Sequence, residues 1–306
     1  MVLTGLHLLL SYQCNFECDH CFVWGSPWQS GTMSLEKIQN ILDQAEKLST
    51  INWIYLEGGE PFLYYPILVK AARIANEMGF KVGIVSNAYW GTSVEDAIEW
   101  LRPFVDDADG ESWLSDLSIS SDLYHYSEVH SKQAQNAHQA ASQLGIPVGT
   151  ISIAQPAESN TPGEQGILPY GESGVMYRGR AAEKLVKNAD KKPWDQFHEC
   201  PFENLREPGR VHADPFGYIH ICQGITLGNL FVTPLNEICA NYDPDSHPIT
   251  GPLLENGPTG LVRNYRLDHQ ERYADACHLC DEARRTLRTQ FPEILQPDQI
   301  YGIYGS

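Results

Sequence analysis

Three of the chain's eight cysteines crowd into the run Cys14-Asn-Phe-Glu-Cys18-Asp-His-Cys21, directly after the compact apolar stretch Leu6 to Ser11. Three thiolates at this spacing can wrap one metal centre, and that narrows how the first strand and its loop can fold. The other five are Cys200, Cys222, Cys239, Cys277 and Cys280. Met1 to Leu10 has no basic region ahead of its apolar residues and no small-residue cleavage site, so it does not read as a secretory signal. A cytoplasmic chain is therefore expected, and metal or redox chemistry rather than a disulfide scaffold. Iron–sulfur clusters usually take four thiolates. Three leave one iron with an open position, which implies catalysis in the way an open position marks a catalytic zinc site. The competing reading of the same residues is a zinc site completed by His20 or another residue.

The surrounding pattern is α/β. β-like runs at Leu6 to Ser11, Ile51 to Leu56, Lys81 to Val85, Leu117 to Ser120 and Pro147 to Ile153 alternate with amphipathic helices. Ser34 is placed to cap a helix carrying Leu35, Ile38, Ile41, Leu42, Ala45 and Leu48 on one face. Such repetition predicts βα units on a parallel sheet, open or closed into a barrel. From Gln155 to Gly174 the period fails, and the segment reads as a loop or lid. After Pro193 the cysteines return among short strand signals around Gly217 and Gly228, so two domains are expected, 1–193 and 194–306. The net charge of −18 disfavours a nucleic-acid partner or an anionic membrane surface, and no apolar run approaches a membrane span.

Cys14-x3-Cys18-x2-Cys21 after the first strand resembles the signature of the radical S-adenosylmethionine superfamily. The resemblance implies a 4Fe–4S cluster on these three cysteines, S-adenosylmethionine on the unique iron, and reductive cleavage to methionine and a 5′-deoxyadenosyl radical. Glu57-Gly58-Gly59-Glu60-Pro61, after the second strand run, resembles the family's Gly-Gly-Glu-Pro motif. There the strand edge and Glu60 are expected to hold the methionine amino group. His20 stands where the family usually has an aromatic side chain near the adenine. Ser86-Asn87 and Ser120-Ser121-Asp122 end the third and fourth strands, where the family contacts the methionyl carboxylate and ribose hydroxyls. For that carboxylate many relatives carry an arginine beyond the fourth strand, and here only Lys132 is nearby.

Spacing alone barely separates structural zinc from an iron–sulfur cluster in the second cysteine group. The order Cys200, Gly217-x4-Cys222, Gly228-Asn229-Leu230, Cys277-x2-Cys280 resembles the twitch module, the short form of the SPASM extension. It implies an auxiliary 4Fe–4S cluster on Cys200, Cys222, Cys277 and Cys280, and so two clusters in the chain. Cys239, in the helix-like Leu235-Asn-Glu-Ile-Cys239, is expected to be a buried small hydrophobe. Trp90-Gly91 and Asp122-x2-His125 bring the resemblance nearest to twitch-bearing enzymes that modify ribosomally made peptides. Radical epimerases of that group carry a second cysteine after the Gly-x4-Cys ligand, and here Gln223 stands there. Glutamine cannot donate a hydrogen atom as a thiol does, which argues against that route unless Cys239 or a tyrosine substitutes.

His125 and His130, beyond the fourth strand, are candidates to lie near the substrate, with solvated or locally bonded histidines the default expectation. Trp24 and Trp28 are expected to pack in the core or to shield the cluster. Arg178-Gly179-Arg180 suits either a carboxylate ligand or surface ion pairs. The expected fold is a partial (β/α)6 barrel followed by a small α+β twitch domain. The expected function is a radical enzyme that oxidatively modifies a peptide, supplied with electrons by a flavodoxin- or ferredoxin-type donor. Because the sequence opens almost at the first strand, no N-terminal leader-binding domain is expected. Dehydrogenation of a small alcohol such as an aminocyclitol is the second expectation, and a non-enzymatic iron–sulfur or zinc scaffold the alternative of another class.

Overall fold

A computed structural model describes residues 1–106, 110–156 and 172–304. Strands β1 (Gly5–Leu9), β2 (Trp53–Glu57), β3 (Lys81–Ser86), β4 (Asp116–Ser120) and β5 (Val148–Ile151) run parallel. Helices α1 (Leu35–Lys47), α2 (Tyr65–Glu77), α3 (Val94–Leu101) and α4 (Lys132–Gln143) connect them in turn. Three of these helices start on a serine cap: the hydroxyls of Ser34, Ser93 and Ser131 accept from backbone N–H groups of the first turn. Such a cap is worth about 1 kcal/mol. Ile38, Ile41, Leu42 and Ala45 of α1 are fully buried, as their spacing predicts. Burying each of the large aliphatic side chains contributes roughly 1.5–3 kcal/mol. The result is a mixed α/β fold on a parallel sheet, of the partial-barrel kind.

Six complete βα units are expected from the sequence; among the described residues there are four and a fifth strand. Beyond β5 the described backbone gives one parallel bridge, Ile153 to Ser173. Most of the loop or lid expected over Gln155 to Gly174 lies outside the described residues.

After the short helix α5 (Ala181–Lys184), β6 (Lys192–Pro193) pairs far along the chain with β10 (Arg272–Tyr273). Strand β7 (Arg210–Ala213) pairs parallel to β1, and β8 (Tyr218–Cys222) and β9 (Ile225–Asn229) extend the sheet antiparallel. One sheet in the order β5-β4-β3-β2-β1-β7-β8-β9 therefore crosses the boundary expected near 193. Helices α6 (Leu235–Asn241), α7 (Thr250–Tyr265) and α8 (Ala276–Leu287) complete the C-terminal part. An apolar cluster including Leu9, Tyr12 and Val23 with Ile221, Ile225, Leu261 and Tyr301 seats that part on the first cysteine loop.

Cys239 is buried on α6, where its carbonyl accepts from the Met1 ammonium. Among the described residues it lines neither thiol-bearing cavity, so it is not placed to donate a hydrogen atom there. Trp24 is buried, but it packs on Gly302 and beneath Arg180 and Arg285. Trp28 departs from both expectations: it is 76% exposed, because its loop turns outward after Ser26.

Candidate functional site

At the C-terminal ends of the parallel strands lies a cavity of ≈ 290 Å³ lined by Cys14, Cys18 and Cys21. Two glycines fix the loop that carries them. Gly58, at φ +145°, and Gly59 let the end of β2 lie against Ser11–Gln13: Gly59 N donates to the Ser11 carbonyl at 2.6 Å and Glu60 N to that of Gln13 at 3.0 Å. A Cβ on Gly59 would lie 2.1 Å from the Gln13 carbonyl oxygen, so only glycine fits. The Cys14 and Cys21 sulfurs accept from the Phe16 and Gly25 N–H groups at 3.4 and 3.2 Å. Burial, helped by the neighbouring carboxylate of Glu60 and thiol of Cys21, pushes the Cys14 thiol up to about 12, and burial likewise raises Cys18. Bare thiolates are thus disfavoured here, and a bound cation reverses that.

Of the residues expected at the cofactor, His20, Gly58, Gly59, Ser86, Asn87 and Ser120 line this cavity. Glu60, Pro61 and Asp122 do not. Glu60 is fully buried and engaged by the protein itself: its carboxylate accepts from Phe62 N, Ser86 Oγ and Asn87 N at 3.0, 2.9 and 2.8 Å. Burial pushes it up to about 7 against those bonds. Through these bonds it ties the end of β2 to the end of β3. Pro61 starts a buried 3-10 turn. Asp122 accepts from Tyr124 N, His125 N, His125 Nδ1 and Ile153 N, which fixes the loop after β4. Burial pushes its pKa up, but His125 outweighs that and holds the carboxyl low.

His20 stacks on Tyr124 with centroids 4.5 Å apart, and burial pulls its pKa down to about 4, so the ring is neutral. His125 is locally bonded, held on Asp122 at the cavity wall. Lys132 is exposed at the start of α4 and does not reach the cavity. The cation that does is Arg178, which is buried, as is Arg180; neither is a surface ion pair. Arg180 donates to the Cys18 and Gly25 carbonyls at 2.7 and 2.8 Å, which shapes the cysteine loop.

A second, smaller cavity is lined by Cys200, Cys222, Cys277 and Cys280 together with Arg178 and Arg284. Asp275 caps α8, so Cys277 and Cys280 sit three apart in its first turns, on one face and near its positive end. Burial pushes the Cys280 thiol up to about 12 and raises Cys277 and Cys200 as well. Arg178 belongs to both cavities. Its Nη1 lies 3.4 Å from Cys222 Sγ and 3.3 Å from Glu203, its face covers Phe22, and its buried Nε has no partner among the described residues.

Residues 8–110 match the family model described as the Radical SAM superfamily. Residues 8–110 are thus similar to a radical SAM domain. The chain is 32% identical over 127 residues, 42% of this chain and 38% of the relative, to a putative peptide biosynthesis protein YydG of Bacillus subtilis (strain 168). It is 31% identical over 104 residues, 32% of this chain and 36% of the relative, to an S-adenosylmethionine-dependent nucleotide dehydratase of a Thermoplasmatales archaeon. The matches thus span well under half the length of these relatives. Among solved structures the fold is similar to Streptococcus suis SuiB bound to its precursor peptide SuiA, with TM-score 0.57, 14% identity, and coverage of 90% of this chain and 76% of that one. It is also similar to BtrN in complex with AdoMet and 2-DOIA, with TM-score 0.51, 12% identity, and coverage of 79% and 83%. Among the described residues no helix is long and apolar enough to cross a membrane.

Proposed function

We propose that this chain is a radical enzyme that oxidatively modifies a ribosomally made peptide. Cys14, Cys18 and Cys21 would hold a 4Fe–4S cluster, and Cys200, Cys222, Cys277 and Cys280 an auxiliary one in the module formed by residues 194–306. With S-adenosylmethionine bound, the first cluster supplies the 5′-deoxyadenosyl radical that removes a substrate hydrogen atom. The observation that carries this reading is the pair of cavities, one lined by three thiols and one by four, joined at Arg178.

The donor sets fit the groups. Among the described residues, no three cysteine sulfurs all lie within 4.8 Å of one another. Thiolates about 2.3 Å from one tetrahedral zinc ion would lie about 3.8 Å apart, whereas a cube of iron and sulfide spreads its ligands wider. The unpartnered Arg178 Nε and His20 Nδ1, both buried at the large cavity, are placed to bond a polar ligand. A guanidinium suits a carboxylate. Phe16, Phe22, Val23 and Ile151 provide walls that exclude water from a reactive carbon centre. The peptide class rests on the name of YydG and on the precursor peptide bound to SuiB. We further propose a cytoplasmic setting and a flavodoxin- or ferredoxin-type electron donor.

The test is anaerobic incubation of reconstituted protein with dithionite and S-adenosylmethionine, with 5′-deoxyadenosine quantified. Production by the wild type and none by Cys14→Ala is expected. Equal production by both would remove the first thiol group from the chemistry. Peptide modification is tested by mass spectrometry with a precursor peptide encoded beside this gene: loss of two hydrogens supports oxidation, and an unchanged mass with inverted stereochemistry contradicts it.

A further inference from the structure

Below the large cavity the barrel interior holds a group that the proposed chemistry does not use. His7 of β1, Glu57 of β2 and His212 of β7 converge there. The sheet register makes this unavoidable: His7 pairs directly with His212 on one side and Tyr55 on the other, and Glu57 follows Tyr55 by two residues on the same face. His7 Nδ1 lies 3.2 Å from Glu57 Oε2, and His212 Nε2 lies 3.3 Å from Glu57 Oε1. One ligating atom from each of the three falls within 4.8 Å of the others. Tyr55 stacks on His7 at 4.7 Å and fixes the ring.

With the Gln223 amide as placed, the hydrogen bonds at His212 conflict; rotating that amide would let an Nε2–H bond both oxygens. His212 Nε2 lies 3.3 Å from the Gln223 amide nitrogen as well as from Glu57. As an N–H it suits the carboxylate and opposes the amide; as a lone pair it does the reverse. His212 Nδ1 and Gln223 Oε1 are buried with no partner among the described residues. Buried polar atoms are rarely left so.

We propose that His7, Glu57 and His212 bind a divalent first-row transition-metal ion. Two imidazoles and one carboxylate on one side of an ion, with the other positions open, is an established donor set for such cations. Ligands about 2.1 Å from an ion and at right angles stand about 3 Å apart; the two separations here are close to that but run to the two different oxygens of Glu57, so both oxygens would face the ion. With the lone pair of Nε2 given to the ion, the ring proton sits on Nδ1. Rotating the Gln223 amide then offers its oxygen as a further donor. The site has an entry and an outlook. His7 lines a cleft at the lower end of the barrel with Thr4, Trp53, Tyr55 and Arg210, while Glu57 lines the large cavity above. Open positions on the ion would face that cavity and suit an oxygen donor from a substrate.

The test uses protein with its clusters reconstituted, so that cysteines do not compete, and titrates Mn2+ and Co2+ separately under anaerobic conditions. One equivalent of ion retained per chain is expected, with at least tenfold weaker binding in Glu57→Gln and His7→Ala at unchanged iron content. Co2+ spectra should lack sulfur charge-transfer bands, and pulsed EPR of bound Mn2+ should show histidine nitrogen couplings. The nitrogen couplings test the site in the wild type even if a variant fails to fold. Retention of neither ion, unchanged binding in both variants, or bound Mn2+ without nitrogen couplings would overturn the proposal. Because none of these readouts involves S-adenosylmethionine, failure here leaves the proposed radical chemistry untouched.

Discussion

The two cysteine groups solve opposite problems. Cys14, Cys18 and Cys21 come from one loop of eight residues, pinned by the backbone of Gly58 and Gly59, and line a roomy cavity open to a ligand. Cys200, Cys222, Cys277 and Cys280 come from three distant segments, meet only in the folded chain, and line a small cavity flanked by two buried guanidiniums. The first arrangement leaves coordination free for chemistry. The second gathers four thiols in a tighter space and sets two buried cations against their charge, which suits a group that holds or passes electrons. Arg178, in contact with both cavities, is where the two meet.

The comparison breaks most decisively at the local group. Cys18→Ala should abolish 5′-deoxyadenosine formation, since no neighbouring thiol replaces the one lost; normal turnover would show that the first group is not the radical centre. Next in size, the double variant Cys277→Ala/Cys280→Ala should lower iron from about eight to about four per chain while slow 5′-deoxyadenosine formation persists without oxidised product. Product at the wild-type ratio to 5′-deoxyadenosine would make the C-terminal group structural. Gly59→Ala should cost about 1–3 kcal/mol in chemical unfolding, because its Cβ would collide with the Gln13 carbonyl, and should impair loading of the first group only. Equal loss of both groups would mean that the loop and the C-terminal part fold as one unit.

The smallest effect sharpens the link between the two. Arg178→Met removes a buried cation beside Cys222, so adding an electron to the second centre becomes harder. Its midpoint potential, measured by redox titration with EPR, should fall by about 60 mV, or about 1.4 kcal/mol for one electron. An unchanged potential would place the influence of Arg178 in the large cavity alone.

Locality also decides what the sequence made legible. The helices announce themselves through period and cap, as Ser34 with Ile38, Ile41, Leu42 and Ala45 illustrates, and the first thiol loop is written in consecutive residues. The second thiol set was readable only through its resemblance to a known module, because four isolated cysteines carry no spacing rule that identifies one centre. The protein bonds of Glu60 and Asp122 were not legible: a carboxylate next to a glycine or at a strand end is as well suited to bonding backbone N–H groups as to bonding a ligand, and only the tertiary structure shows which protein donors it meets. The burial of Arg178 and the convergence of His7, Glu57 and His212 depend on β7 returning beside β1, a long-range pairing that no local pattern encodes.

The claim that one chain holds two different iron–sulfur centres is tested most directly by metal analysis of the anaerobically reconstituted, full-length wild type. Iron, acid-labile sulfide and zinc should be measured together on the same sample. The account predicts about eight iron and eight sulfide per chain with no stoichiometric zinc. Four or fewer iron accompanied by one zinc would contradict it, and would make the C-terminal thiols a structural metal site.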